Sequence, residues 1–378
     1  MSDAAMPGTY VRSQIAPAAP PPVSEVGAWA WMRSNLFSSI PNTVLTLVGV
    51  ALVFLVVPPL IDFLFIRAVW TGENREACLG PEVGACWAFI DAKMNQLIYG
   101  FYPADERWRP NVVFALGAAL LVPLMVPSAP FKRLNAVLFF VVFPVVAFFL
   151  LTGGVFGMPA VSTRVWGGLL ITLVVAVTGI VASLPIGIML ALGRRSRLPI
   201  IRMMSVAFIE FWRGVPLITV LFFATYMLPL FLPRGTEIDG LLRALIGVAL
   251  FAAAYMAEVV RGGLQAIPKG QYEGAMAVGL GYWKMMGLVI LPQALKMVIP
   301  GIVNTFIGLF KDTTLVLIVS ILDLLGQLRA AYADPTWATP VTEFTGFAFA
   351  GIIYFAFCYG MSVYSRFVEN RLNTGHKR

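Results

Sequence analysis

Long apolar runs separated by short polar segments dominate this chain. A helix that crosses a bilayer needs roughly 20 mostly apolar residues in a row. Eight runs approach or exceed that length, at residues 42–66, 110–126, 134–151, 166–192, 205–232, 241–260, from about 297 onward, and 344–367. The pattern therefore predicts an all-α integral membrane protein with about eight transmembrane helices.

The polar stretch at residues 261–296 lies between two of these runs and cannot itself be a span. It carries two prolines, several glycines and charged residues that include Lys269 and Glu273. Its pattern predicts two short helices, at 271–278 and 282–291, bent at residues 279–281.

A second polar segment, residues 67–109, follows the first apolar run. Within it, residues 87–101 are partly apolar, but they are too few to span a membrane and include Asp91 and Lys93. We expect them to form an interfacial helix inside this loop.

Prolines and small residues shape several of the runs. Pro58 and Pro59 predict a kink in the first span. Pro185 and Pro216, each with a nearby glycine, predict bends in later ones. The run at 241–260 is rich in alanine and glycine, which predicts close packing against other helices.

Composition supports the membrane class. Hydrophobic residues make up 59% of the 378 positions and charged residues 12%, whereas soluble domains carry about 25% charged residues. Residues 1–40 are polar and proline-rich, which predicts a disordered cytoplasmic tail. The net charge of +8 fits loops that set membrane topology better than nucleic-acid binding, which we do not expect.

The distribution of positive charge predicts the orientation. With the N-terminus in the cytoplasm and eight alternating spans, cytoplasmic segments hold 16 lysines and arginines and outside segments hold 9. This bias places both termini and the polar stretch inside and the 67–109 loop outside. Cys78 and Cys86 then lie outside, where a disulfide could form; two free thiols are the alternative.

The chain lacks the residues of common catalytic sites. Its single histidine, His376, lies in the C-terminal tail, and no CxxC or Cys/His spacing indicates a metal site. A glycine-lysine pair never occurs, so there is no phosphate-binding loop. We expect a protein that is not an enzyme, with no metal and no nucleotide site of its own.

Charged residues inside the spans are the default functional candidates, because burying them in lipid is costly. Glu210 and Arg213 lie three residues apart and could pair with each other, as could Glu258 and Arg261. The run from Lys311 to Thr314 predicts a broken helix whose polar groups face a cavity that a small polar solute could use. Structural ion pairs and structural strain are the alternatives.

The polar stretch resembles the signature of permease subunits of type I ABC importers. The matching residues are Glu273-Gly274-Ala275, Gly279 and Ile290-Leu291-Pro292. The motifs EFWRGVPL and FKDTTLV, with the Gly-Gln of KGQYEG, are similar to the polar amino-acid branch of the family. The resemblance covers about residues 160–378. The three additional N-terminal spans and the long external loop resemble the general L-amino-acid permease subunit of alphaproteobacteria.

This resemblance implies a five-helix importer core at residues 153–378 and a three-helix N-terminal extension at 41–152. Gly274 stands where the family usually has alanine, which is expected to loosen that helix by about 1 kcal/mol.

The resemblance also implies the partners. They are a sister permease subunit, a cytoplasmic ABC ATPase dimer and a periplasmic amino-acid-binding protein, assembled at the bacterial inner membrane. The partner ATPase would use ATP, and this chain would bind no cofactor. The ATPase would dock on residues 271–291, with Tyr272, Ala275, Met276 and Leu280 as apolar contacts and Glu273 as a charge. The complete predicted set for this coupling role is Gln271, Tyr272, Glu273, Gly274, Ala275, Met276, Gly279 and Leu280.

An L-amino acid carries an ammonium and a carboxylate, so a pathway of mixed charge suits it. The predicted lining residues are Glu210, Arg213, Asn304, Lys311, Asp312 and Thr313. A self-contained secondary transporter of small polar solutes, or a channel, is the alternative. It would explain the spans and the internal charges, but not the long glycine-bent cytoplasmic stretch. A membrane-embedded enzyme would need a cluster of nucleophile, base and metal ligands that the sequence lacks.

Overall fold

The computed structural model describes residues 27–233 and 235–372, and regular secondary structure there is helical. The helices are α1 Ala28–Asn35, α2 Ile40–Ile66, α3 Trp87–Tyr99, α4 Trp108–Met125, α5 Lys132–Thr152, α6 Gly168–Arg194, α7 Pro199–Gly214, α8 Leu217–Phe231, α9 Gly240–Ala266, α10 Lys269–Ala277, α11 at residues 282–297, α12 Ile299–Val319, α13 Leu324–Tyr332 and α14 Pro340–Leu372.

The predicted number of spans is confirmed for the described residues. Seven helices are long and apolar enough to cross a membrane, and α7 with α8 would make an eighth if the bent pair is one span. Their boundaries differ from the predicted ones by a few residues, because helix ends continue into polar residues that carry little hydrophobic signal.

The described part of the chain divides into two compact units, one that ends at Ile66 and one that begins at Arg67. In the first unit, residues 1–26 of the predicted disordered tail lie outside the described residues, whereas Ala28–Asn35 form a helix. Helix α2 begins at a cap, where the Ser39 hydroxyl accepts from the backbone N–H of Asn42 at 3.3 Å. Beyond Pro58 and Pro59, its last five residues form a π-helical turn.

In the second unit, one predicted span is two helices. Helices α7 and α8 meet at an angle of 101°. Pro216 lacks a backbone N–H and restricts the preceding residue, and Val215 is accordingly extended, with φ −111° and ψ 134°. The bend expected at Pro216 within the 205–232 run is therefore confirmed. Helix α6, by contrast, continues through Pro185.

Close packing of α6 against α9 forms the centre of this unit. In α9, Ala244, Ala253, Ala254 and Ala257 have no exposed surface. A Cβ added to Gly187 of α6 would lie 2.7 Å from the Met256 side chain. Small residues thus let the two backbones approach, as the composition of the 241–260 run predicted.

Residues 67–107 form a segment that packs onto the core. Cys78 and Cys86 are joined by a disulfide. Helix α3 buries Phe89 and Leu97 in a cluster that includes Leu324 and Leu328 of α13. The helix expected within residues 87–101 is confirmed as α3, and its apolar face packs against the core helices.

Polar contacts also hold this segment in place. Lys93 of α3 forms an ion pair with Asp334, and its ammonium lowers the pKa of that carboxyl to about 2. Gly168, at φ +63°, leaves room for the carbonyl of Leu97, which a Cβ would meet at 2.1 Å. The segment therefore belongs to the same compact body as α6 and α13.

The disulfide leads to a direct prediction. We expect Cys78 and Cys86 to resist thiol labelling until a reductant is added. Replacing both by serine should lower the free energy of unfolding by about 2–3 kcal/mol, the entropy expected for a loop of this length. A labelling gel and thermal unfolding in detergent would measure these effects. Labelling of both residues without reductant would contradict the prediction.

Candidate functional site

Helices α10 and α11, residues 269–297, form a two-helix segment that projects a tight turn. The N–H of Leu280 donates to the carbonyl of Ala275 at 3.1 Å, and the N–H of Gly279 donates to that of Met276 at 2.9 Å. With Gly279 at φ +77°, this is a Schellman motif, in which a left-handed residue closes a helix. The two predicted helices and the bend at residues 279–281 are confirmed, with α10 at Lys269–Ala277 and α11 extended to residue 297.

The inner face of the two-helix segment is anchored in the core. The buried residues are Ala275, Met285, Met286, Ile290 and Ala294, which form one cluster with Met256, Val260 and Leu264 of α9. The side chains of Gln271 and Gln293 join α10 to α11 through a hydrogen bond of 3.0 Å. The segment is therefore fixed to α9 on one side and free on the other.

Its outer face carries apolar side chains around the turn. Met276, Val278, Tyr282 and Trp283 are exposed, Trp283 by 75%. Three residues predicted as apolar contacts lie elsewhere: Ala275 is only 5% exposed, and Tyr272 and Leu280 pack partly against the core cluster. The apolar residues that face outward are therefore Met276, Val278, Tyr282 and Trp283. The sequence did not predict this set, because the hydrophobicity of a short helix does not reveal which of its faces is covered.

The remaining predicted coupling residues lie on the solvent-exposed surface of the two-helix segment. Gln271, Glu273, Gly274, Met276 and Gly279 are all exposed. Glu273 thus lies on the same segment as the apolar side chains of the turn and is open to a basic partner.

Gly274 offers a test of helix rigidity. A Cβ at this position would meet nothing within 4 Å, so Gly274→Ala is expected to stabilise α10 by about 1 kcal/mol without a clash. Proteolysis of the segment should slow. Gly281→Ala in the same turn serves as a control outside a helix. Faster proteolysis of Gly274→Ala would contradict the expectation.

A cluster of charged residues joins three helices near the two-helix segment. Arg194, at the end of α6, donates from one nitrogen to Glu210 of α7 at 2.9 Å and to Glu258 of α9 at 2.8 Å. Glu258 also accepts from Arg261 at 2.6 and 2.9 Å, and Arg213 lies 3.8 Å from it. We call these five residues the charged cluster. Glu258 is its centre, because it faces three guanidinium groups.

The pairing of Glu258 with Arg261 is confirmed, and that of Glu210 with Arg213 is wrong. Both pairs have the same spacing along a helix, but Arg194 provides Glu210 with a partner from a neighbouring helix. Arg213 instead faces Glu258 and stacks over the ring of Tyr255 at 5.8 Å. Arg194 was not predicted as a site residue, because a basic residue at the end of a span was expected to set the membrane orientation.

The neighbouring residue, Arg195, contacts the two-helix segment. Its guanidinium donates to the Tyr272 hydroxyl at 3.0 Å and to the carbonyl of Leu264 at 2.9 Å. It also lies 5.5 Å from the centre of the Tyr272 ring. Tyr272, predicted as a docking residue, is thus held from within the protein.

The other predicted pathway residues lie on α12. Asn304 and Lys311 are exposed and Asp312 is half-buried. The α-helix ends at Asp312 and continues as a 3₁₀ turn over Thr313–Val319, so the helix changes form where the sequence predicted a break. Thr313 is buried, with its hydroxyl bonded to the carbonyl of Phe310 at 2.8 Å. Among the described residues, no ion pair joins these groups to the charged cluster.

Asp323 is a buried polar residue that the sequence did not single out. Its carboxylate accepts from the N–H of Gly326 at 2.9 Å and from the hydroxyl of Tyr354 at 3.0 Å. Burial raises the pKa of this carboxyl, while both hydrogen bonds favour its charged form. Asp323 therefore caps α13 and ties it to α14, which is a structural role.

Comparison with known proteins assigns the family. Residues 183–374 match the family described as binding-protein-dependent transport system inner membrane component. The inner membrane amino-acid ABC transporter permease protein YhdY of Escherichia coli is 52% identical over 92% of this chain and 94% of its own length. The glutamate/glutamine/aspartate/asparagine transport system permease protein BztC of Rhodobacter capsulatus is 40% identical over 98% of this chain and 99% of its own length.

Among solved structures, an amino acid ABC transporter determined with histidines is 28% identical. It covers 54% of this chain and 92% of its own, with a TM-score of 0.48. The matches to YhdY and BztC, by contrast, extend over nearly the whole chain. The chain therefore belongs to the inner-membrane permease components of binding-protein-dependent transport systems, in the amino-acid ABC importer branch.

Proposed function

We propose that this chain is one of two sister permease subunits of an importer that moves L-amino acids from the periplasm to the cytoplasm by alternating access. A separate ATPase pair supplies the energy by docking on the two-helix segment, and a periplasmic binding protein delivers the substrate. Both termini lie in the cytoplasm, and the chain has no nucleotide site of its own. The name of the BztC relative supports acidic amino acids and their amides as the first substrates to test.

The observation that supports this most strongly is the exposed apolar turn of the two-helix segment. Met276, Val278 and Trp283 project from a turn of the two-helix segment, whose inner face is buried in the core. Exposed tryptophan and methionine at a fixed turn are typical of binding surfaces, whereas isolated exposed apolar residues need no explanation. Closure of the ATPase pair would then displace α10 and α11.

The test compares two exposed side chains of α11. Trp283 is 75% exposed beside the turn and Leu288 is 70% exposed five residues further on. Trp283→Ala should weaken binding of the purified ATPase by about 30-fold, since truncation of a central aromatic costs about 2 kcal/mol or more. Leu288→Ala is the matched control and should bind the ATPase normally.

Glu273→Lys should abolish uptake while the protein still inserts in the membrane.

Uptake by the reconstituted complex tests the substrate. Proteoliposomes with this chain, its sister subunit, the ATPase and the binding protein should take up radiolabelled L-glutamate, with acidic, amide, basic and neutral L-amino acids as competitors. Uptake should stop when ATP is removed and should not follow an imposed proton gradient. Uptake driven by the proton gradient without ATP would instead indicate a secondary transporter.

A further inference from the structure

Two consecutive arginines at the end of α6 contact both candidate sites. Arg194 is the last residue of the helix and Arg195 is its cap. Arg194 donates to the two glutamates of the charged cluster, at 2.9 and 2.8 Å. Arg195 donates to the carbonyl of Leu264 and to the hydroxyl of Tyr272, at 2.9 and 3.0 Å. One short piece of backbone is therefore tied to the charged cluster on one side and to the two-helix segment on the other.

The contacts of Arg195 join the ends of three helices. The carbonyl of Leu264 belongs to the last turn of α9, where carbonyls have no partner within the helix. A guanidinium there satisfies the carbonyl and favours the negative end of the helix dipole. The hydroxyl of Tyr272 in α10 also donates to this carbonyl, at 3.3 Å. A displacement of α10 relative to α6 that the long Arg195 side chain cannot follow therefore strains or breaks these contacts.

The contacts of Arg194 lie on helices that surround the charged cluster. Its two acceptors are on α7 and α9, and Glu258 is shared with Arg261 and Arg213. Because one guanidinium nitrogen serves both glutamates, a shift of the Arg194 backbone that moves this nitrogen alters both contacts. Movement at the end of α6 would therefore change the contacts of Glu210 and Glu258 in the charged cluster.

We propose that Arg194 and Arg195 are positioning residues that transmit movement of the two-helix segment to the charged cluster. The proposal rests on the proposed function, in which an ATPase moves that segment. Arg195 follows α10 through Tyr272, and the shared peptide carries the movement to Arg194, which shifts Glu210 and Glu258. Neither arginine has to touch the ATPase or the transported amino acid for this role.

A structural role and a transmitting role of the Arg195 contacts predict different experimental results. Loss of a structural tie would lower stability, and ATP hydrolysis and uptake would fall together. Loss of a transmitting contact leaves the ATPase bound and active but lowers the amount of amino acid moved per ATP. The side chain of Arg195 is exposed, so its replacement should cost little folding energy.

The experiment uses the complete complex in proteoliposomes and an equimolar mixture of radiolabelled L-glutamate, L-glutamine, L-aspartate and L-asparagine. Arg195→Met should leave ATPase binding and hydrolysis within about twofold of wild type and lower uptake per ATP by about fivefold, within the range of coupling energies. Arg195→Lys keeps the charge and should restore part of the loss. Arg197→Met, in the same loop and also exposed, should behave as wild type.

The outcomes separate the two proposals. An unchanged ratio of uptake to hydrolysis in Arg195→Met, or an equal fall of both, overturns the role of the arginines and leaves the proposed function standing. A ratio that falls equally in Arg197→Met also overturns it, because loss of any charge in the loop would then suffice. If the wild-type complex shows no ATP-dependent uptake of this mixture or of a mixture of basic and neutral L-amino acids, the proposed function fails and the inference fails with it.

Discussion

Gly279→Val is expected to reduce ATP-driven uptake by about 30-fold while the protein still inserts in the membrane. Gly279 has φ +77°, a conformation that a β-branched residue adopts only at a cost of about 2 kcal/mol or more. The hydrogen bonds from Gly279 and Leu280 back to α10 depend on this conformation. Their loss would separate Met276 and Val278 from Trp283 on the docking surface. Uptake in proteoliposomes and ATPase binding are the measurements.

Two variants of the same turn serve as controls. Asparagine tolerates the left-handed conformation better than other side chains, so Gly279→Asn should keep most of the uptake. Gly281 lies two residues further on, has φ −67° and has no atoms within 4 Å of an added Cβ. Gly281→Val should therefore have a small effect. Equal losses in Gly279→Val and Gly281→Val would show that side-chain bulk at the surface, and not backbone conformation, is responsible.

Much of the fold could be predicted because a bilayer permits few solutions. A spanning segment has to satisfy its own backbone groups, so run length alone predicted the number of spans. The turn at residues 279–281 was also predictable, since glycines between two short patterned segments indicate a break. The bend at Pro216 follows from the missing N–H of proline, but its angle of 101° depends on how α7 packs.

The wrong predictions share one physical cause. Spacing along the sequence shows which residues are neighbours on one helix, but it does not show which residues of different helices meet. Glu210 and Arg213 have the spacing of an ion pair, yet Glu210 binds Arg194 on another helix. Ala275 was expected on the docking surface and is instead buried against the core cluster. The partly apolar sequence of α3 likewise does not reveal that its apolar face packs against α13 and α14.

Glu258→Gln is expected to have the largest effect on stability among single substitutions in the charged cluster. The Glu258 side chain is 15% exposed and faces Arg194, Arg213 and Arg261. The amide keeps the shape of the side chain but leaves these guanidinium groups with much less negative charge. Hydrogen bonds to charged groups in such a partly buried site contribute about 1.5–3 kcal/mol, so the thermal midpoint in detergent should fall by about 3 °C or more.

Glu210→Gln is the matched stability control for this prediction. The Glu210 side chain is 55% exposed and pairs with Arg194, and exposed pairs contribute about 1 kcal/mol or less. A second variant, Arg261→Gln in the Glu258→Gln background, removes one of the positive charges left in excess and should recover part of the lost stability. If Glu258→Gln and Glu210→Gln lowered the midpoint equally, Glu258 would not be the centre of the cluster. Without recovery in the double variant, the loss would come from packing around Glu258 and not from its charge.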